Sequence, residues 1–208
     1  APTMEQILLI DASPRAPHSN SHGYAAIFME TSRAACTYIA LRKSDLTQNV
    51  QKIERSSDII FVCPLYVDSL PLPLLELFQK IEHSVMTQKP RIHVILNCGF
   101  LEPWQNDTAL ASVRLFCRQN GFRFGSCLKI GGGEAILRTP FRFLVRHKIR
   151  QFSQAVRCKN FVELSVTMPV SKRMFLRAST RYWIRYGKKH RLTREQMTTS
   201  AIEKHTGQ

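Results

Sequence analysis

Hydrophobic positions along this chain come in short, dense runs. Ile7-Leu8-Leu9-Ile10, Ile59-Ile60-Phe61-Val62 and Ile92-His93-Val94-Ile95-Leu96 are nearly continuous, as strands covered on both faces require. With two weaker runs they predict strands over residues 6–11, 37–41, 58–63, 91–97 and 124–130. Between them, apolar positions spaced three and four residues apart predict helices over 21–34, 50–55, 72–85, 107–120 and 140–157. Asp107 reads as an N-cap and Gly121 as the stop one residue past its helix. Strand and helix alternate, so the expected architecture is a doubly wound α/β domain on a five-stranded parallel sheet, over residues 1–160. Residues 161–208 read as a helical extension. Within it 161–167 is extended, Ser171 caps a helix over 172–187 that stops at Gly187, and Thr193-Arg194-Glu195-Gln196 opens a last short helix.

Two strand-to-loop-to-helix junctions carry the chemistry. The first strand ends at Asp11 and opens into Ala12-Ser13-Pro14-Arg15-Ala16-Pro17-His18-Ser19-Asn20-Ser21. Ser13, Ser19, Asn20 and Ser21 offer hydroxyl, amide and backbone donors at the positive end of a helix, and Arg15 adds charge; that set suits a phosphate. The bland alternative is a Ser/Pro turn with Ser19 or Asn20 as N-cap. The third strand runs into Pro64-Leu65-Tyr66-Val67-Asp68-Ser69-Leu70-Pro71. Tyr66 offers a flat apolar face, and Pro64, Leu65 and Val67 shape the turn, with peptide groups able to meet a ring's polar edge. Asn97-Cys98-Gly99-Phe100 follows the fourth strand, where Gly99 lets backbone approach a ligand. Gly131-Gly132-Gly133 follows the fifth and is the weakest signal, since such a run is often only a flexible connection.

At these residues the chain resembles the flavodoxin-like NAD(P)H-dependent FMN reductases. Ser13-Pro14-Arg15 with Ser19-Asn20-Ser21 matches their first loop, and Pro64-x-Tyr66 with Pro71 their second. The resemblance covers about residues 5–160 and departs at Ala12, where those proteins usually carry Gly. It implies strand order 2-1-3-4-5 and an FMN held by Ser13, Arg15, Ser19, Asn20, Ser21, Pro64, Leu65, Tyr66, Val67, Asn97, Cys98, Gly99 and Phe100. Electrons would pass from NAD(P)H via flavin N5 to a quinone, a flavin or another small acceptor, and the protein would be a homodimer. One phosphate loop and no second dinucleotide fingerprint favour FMN over FAD. No catalytic acid or base is expected, because the flavin carries the redox chemistry. Two other readings stay open: a non-enzymatic electron carrier of the flavodoxin type, and a flavin-free scaffold docking an anionic partner.

Charge changes the picture at one end only. The net charge is +15, and residues 138–194 hold 16 Lys/Arg and a single acid, Glu163, while the rest of the chain holds 14 basic and 14 acidic residues. Arg138, Arg142, Arg146 and Arg150 recur every four residues, as do Arg173, Arg177, Arg181 and Arg185, and each set makes one helical stripe. A solvated face, an anionic surface (lipid headgroups, an acidic partner or nucleic acid) and the phosphates of NADPH all fit such stripes. Nucleic acid fits least well, because no recognition motif is present. Six cysteines without zinc spacing or a Cys-x-x-Cys read as core residues of a reducing compartment. With no secretory leader and no run of 18 apolar residues, a cytoplasmic location is expected. The seven histidines are scattered and read as structural or solvated.

Overall fold

A computed structural model describes residues 6–66 and 68–198. The chain divides between Met168 and Pro169 into two compact units.

The first unit is a parallel sheet of six strands, with β1 (Gln6–Asp11), β2 (Ala35–Ala40), β3 (Asp58–Pro64), β4 (Arg91–Asn97), β5 (Phe124–Ile130) and β6 (Glu163–Val166) in the order β2-β1-β3-β4-β5-β6. Its connections run through α1 (Asn20–Thr31), α2 (Leu46–Glu54), α3 (Leu72–Glu82), α4 (Asp107–Gln119) and α5 (Arg142–Arg157). The near-continuous apolar runs are central strands: Ile59 to Cys63 and Val94 to Leu96 are essentially inaccessible. Helices cover both faces. On one, α1 meets α5 through edge-on contact of Phe28 with Phe152. On the other, Phe61 of β3 meets Phe78 of α3, which stacks on Phe116 of α4 at 3.8 Å.

The sheet has one strand more than expected. The order 2-1-3-4-5 is present, and β6 continues it past residue 160, pairing parallel with β5. The stretch 161–167 reads as extended, but four paired residues are too few to announce a sheet strand, and an ion-pair network helps to place them. Lys129 of β5, almost buried, holds Asp107 and Glu163 each at 2.7 Å, and Arg114 reaches Glu163 at 2.8 Å. Asp107 therefore lies in the first turn of α4, paired with a cation, while Asn106 takes the N-cap position. Gly121 is the predicted stop: it adopts φ +69°, and the Phe122 N–H closes onto the Cys117 carbonyl.

The second unit contains α6 (Lys172–Lys189) and α7 (Arg194–Thr198). The Ser171 hydroxyl caps α6 by accepting from the Met174 N–H. Gly187 does not end this helix. It lies within the last turn, and a Cβ there would fall 2.0 Å from Met197 Sδ, so its role is close packing on α7. Thr193 and Gln196 form a reciprocal capping box at the start of α7. Among the described residues no helix is long and apolar enough to cross a membrane.

Candidate functional site

β1 and β3 lie side by side, and the chain leaves their carboxyl ends toward opposite neighbours, β2 and β4. A crevice opens at such a point in doubly wound sheets. Here it is lined by Ser13, Arg15, Ser19, Asn20, Ser21, Pro64, Leu65, Tyr66, Asn97, Gly99 and Glu134. Ten of the thirteen residues expected from sequence therefore meet in one cleft. Cys98 and Phe100 do not line it. Cys98 is buried with its thiol turned toward the carbonyls of Phe100, Glu102 and Ile130, and Phe100 is an exposed residue on the loop. Val67 lies outside the described residues.

Three polar devices hold the cleft together. Beneath the first loop lies Asp11, fully buried, which accepts from the Ser13 N–H at 3.0 Å, the Ser19 hydroxyl at 3.1 Å and the Tyr38 hydroxyl at 2.9 Å. Burial pushes the Asp11 carboxyl above its usual range against the lowering effect of these three bonds. Burial and the neighbouring carboxylate also push the Tyr38 phenol up, so it keeps its proton and donates. Ser19 does two things at once: it donates to Asp11 and accepts from the His22 N–H as the N-cap of α1. Its hydroxyl proton and the Ser13 N–H are thus committed inside the protein.

The second device is the Asn97 amide, which donates to Ser21 Oγ at 3.3 Å and to the Cys63 carbonyl at 3.1 Å. One side chain ties the first turn of α1 to the ends of β3 and β4. The Leu65 N–H donates to the Asn97 carbonyl at 2.8 Å, and Tyr66 exchanges both backbone bonds with Ser69. The second loop is therefore a tight hairpin turn, with Asp68 at φ 57°, and its Leu65 and Tyr66 N–H groups are already paired. What Tyr66 offers is its side chain, 40% exposed.

The third device is the glycine run, which is not a slack connection. A Cβ on Gly131 would lie 2.2 Å from the Leu101 carbonyl oxygen, and one on Gly133 would lie 2.8 Å from Asn97 Cβ. The loop after β5 can lie against the loop after β4 only without side chains at those positions. The Gly133 N–H donates to the Cys98 carbonyl at 2.7 Å, and the Gly133 carbonyl accepts from the buried Tyr24 hydroxyl at 2.6 Å. This seats Glu134 on the rim, beside Gly99.

The donors left facing the cleft form a short list. The Asn20 side chain makes no bond within the described structure, and the first-turn N–H groups of Asn20 and Ser21 have no carbonyl a turn earlier to meet. The Ser13 hydroxyl accepts from the Arg15 N–H, which leaves its proton available, and the Arg15 side chain is exposed. These groups surround the positive end of a twelve-residue helix. They fit an anion the size of a phosphate. Asp11 does not spoil the fit, since its carboxylate is inaccessible and closed off by the loop itself.

The strand order, the switch-point cleft and the phosphate-sized donor set settle the class of structure. The fold is flavodoxin-like. No protein-family model matches the chain, and no curated protein does. Solved structures do match at the level of the fold. One is an FMN-dependent NADH-azoreductase from Bacillus anthracis in complex with FMN, with TM-score 0.58 and 14% identity over 73% of this chain and 99% of that one. An NAD(P)H:quinone oxidoreductase from Methanothermobacter marburgensis gives 0.55 and 15%, over 73% and 95%. A flavodoxin from Streptococcus pneumoniae gives 0.54 and 14%, over 74% and 99%.

Sequence reasoning missed Asp11, Tyr38, Tyr24 and Glu134 as parts of this site. Asp11 carried a signal: a carboxylate closing an apolar buried strand needs donors, and a Ser-rich loop follows it. Tyr24 and Tyr38 carried none, because each looks like an ordinary core or edge aromatic until the loops are placed.

Proposed function

We propose that the protein is an FMN-dependent oxidoreductase that takes electrons from NAD(P)H and delivers them to a small acceptor such as a quinone or a flavin. The observation that carries this reading is the convergence of Ser13, Arg15, Asn20 and Ser21 with Tyr66, Asn97 and Gly99 around one cleft at the switch point. Bound FMN would supply the two-electron chemistry. The chain's own part is binding and orientation. Asn20, the Ser13 hydroxyl, the first-turn N–H groups and Arg15 would hold the phosphate. Tyr66 and the Pro64-Leu65 turn would give the ring an apolar wall. Asn97 fixes the distance between the phosphate loop and that wall, because it grips both. Gly99, with no side chain, would let the loop after β4 come close to the ligand.

The fold neighbours support the reading, since they include proteins described as FMN-dependent NADH-azoreductase and NAD(P)H:quinone oxidoreductase. The test is steady-state oxidation of NADH and NADPH by the FMN-loaded protein with a quinone or free flavin as acceptor. Turnover that needs both FMN and acceptor supports the proposal. A protein that binds FMN but does not oxidise either nucleotide is an electron carrier instead, and one that binds no FMN is a scaffold.

A further inference from the structure

The second unit has a surface that the redox site does not explain. α6 carries seven cations, Lys172, Arg173, Arg177, Arg181, Arg185, Lys188 and Lys189, and no acid. With successive residues 100° apart, the four arginines fall on one side of the helix, and Phe175, Leu176, Tyr182, Trp183 and Tyr186 fall on the other. The aromatic rings form a packed cluster. Tyr182 meets Trp183 at 5.3 Å and Tyr186 at 6.3 Å, and Tyr186 meets His190 at 4.4 Å. Yet Leu176, Tyr182, Trp183 and Tyr186 each keep about half of their surface exposed.

We infer that α6 is a membrane-surface helix that seats the protein on bilayers containing anionic lipid. A strongly cationic face opposite an aromatic and aliphatic one is the pattern of a helix lying in the plane of the lipid–water interface. Tyr and Trp suit that depth, because each has an apolar body and one polar atom to keep wet. Arg173 and Arg185 lie at the two edges of the cationic side, where their long stems can reach back to lipid phosphates, while Arg177 and Arg181 add to the attraction from above. At roughly 27 Å the helix can lie along the surface with all its aromatic residues at one depth.

Other occupants fit less well. Nucleic acid would want rings splayed beside the cations so that bases stack while phosphates pair; here the rings pack on each other and the four arginines lie opposite. An acidic protein would satisfy the cations and leave the aromatic face bare. Pairing two copies through that face would bring together two helices that each carry seven positive charges.

The experiment uses the full chain carrying Trp104→Phe, which leaves Trp183 as the only indole. It is mixed with phosphatidylcholine vesicles with and without phosphatidylserine, and both cosedimentation and Trp183 emission are read. Binding only to the anionic vesicles, with a blue shift of Trp183 and loss in high salt, is expected. Replacing Arg173, Arg177, Arg181 and Arg185 together by Gln should weaken binding on the order of several hundredfold. Trp183→Ser, read by sedimentation, should weaken it at unchanged charge. Neither set of changes should alter FMN binding. The inference is overturned if anionic vesicles do not sediment the protein, if they do so with Trp183 unshifted and Trp183→Ser without effect, or if a short single-stranded RNA displaces the vesicles.

Discussion

Ser19 and Asn20 are adjacent, both line the cleft, and the structure assigns them different work. Ser19 is the N-cap of α1 and one of three donors to buried Asp11. Replacing it by Ala removes the cap, worth about 1 kcal/mol, and leaves a buried carboxylate one donor short, a loss on the order of 1–2 kcal/mol. The two effects share one hydroxyl, so their total should be about 2–3 kcal/mol. For a domain of this size that lowers Tm by roughly 5–10 °C. The Asn20 side chain, by contrast, holds nothing in the protein. Asn20→Ala places a better helix former in the first turn and should leave the apo-protein's stability within about 0.5 kcal/mol. Its cost falls on the ligand: one charge-assisted bond to phosphate is worth about 1.5–3 kcal/mol, or roughly 10–100-fold in Kd for FMN. Urea melts of the two apo-proteins and FMN titrations by fluorescence quenching read both quantities. An Asn20→Ala protein destabilised as much as Ser19→Ala, with the Kd for FMN unchanged, would refute this division of work.

His93, fully buried, accepts the Ser126 N–H at Nδ1 and so donates from Nε2 to Asp58, and burial pushes its ring below the ordinary 6.5. Stability from this arrangement should be complete above pH 6.5 and be lost as pH falls through the lowered folded value; His93→Gln should cost about 1–3 kcal/mol at neutral pH and flatten that acid slope in urea melts. Asp11 has the opposite sign: its raised carboxyl makes ionisation costly, so its contribution weakens as pH rises above 3.8 through the folded value, and Asp11→Asn should remove that trend. Tyr24→Phe leaves the Gly133 carbonyl without its buried partner and should cost about 1–3 kcal/mol, with hydrogen exchange at the Gly133 N–H rising as the loop loosens. Gly131→Ala must displace the Leu101 backbone and should destabilise by more than the roughly 1–3 kcal/mol typical of overpacking; a stable variant that still binds FMN would show that the two loops do not need their close approach.

Much of this was legible in the chain because strand and helix periodicity survive where burial is two-sided. The runs around Leu9, Ile60 and Ile95 announce central strands, and the loops that follow them must then lie at one edge of the sheet. Ser13, Asn20, Tyr66 and Asn97 all belong to those loops and so fall at that edge. β6 was harder: 161–167 reads as extended, but its pairing with β5, helped by Lys129 holding Glu163, is a long-range contact that a four-residue pattern does not announce. Cys98 was misleading because its neighbours Asn97 and Gly99 do face the cleft; on the turn between them the side chain rotates inward to the Ile130 carbonyl. The glycine run read as slack because sequence shows missing side chains but not the backbone that presses against them. Gly187 read as a helix stop for the same reason, when Met197 is what requires it.

FMN in the switch-point cleft is the central proposal. Its most direct test is the visible spectrum of the purified protein, with the released cofactor identified and its stoichiometry measured, followed by titration of the stripped protein with FMN and with FAD. A yellow protein is expected that releases FMN in one equivalent, rebinds FMN more tightly than FAD, and binds FMN roughly 10–100-fold more weakly in Asn20→Ala. A colourless protein that binds neither flavin in excess, or one that prefers FAD, would contradict it.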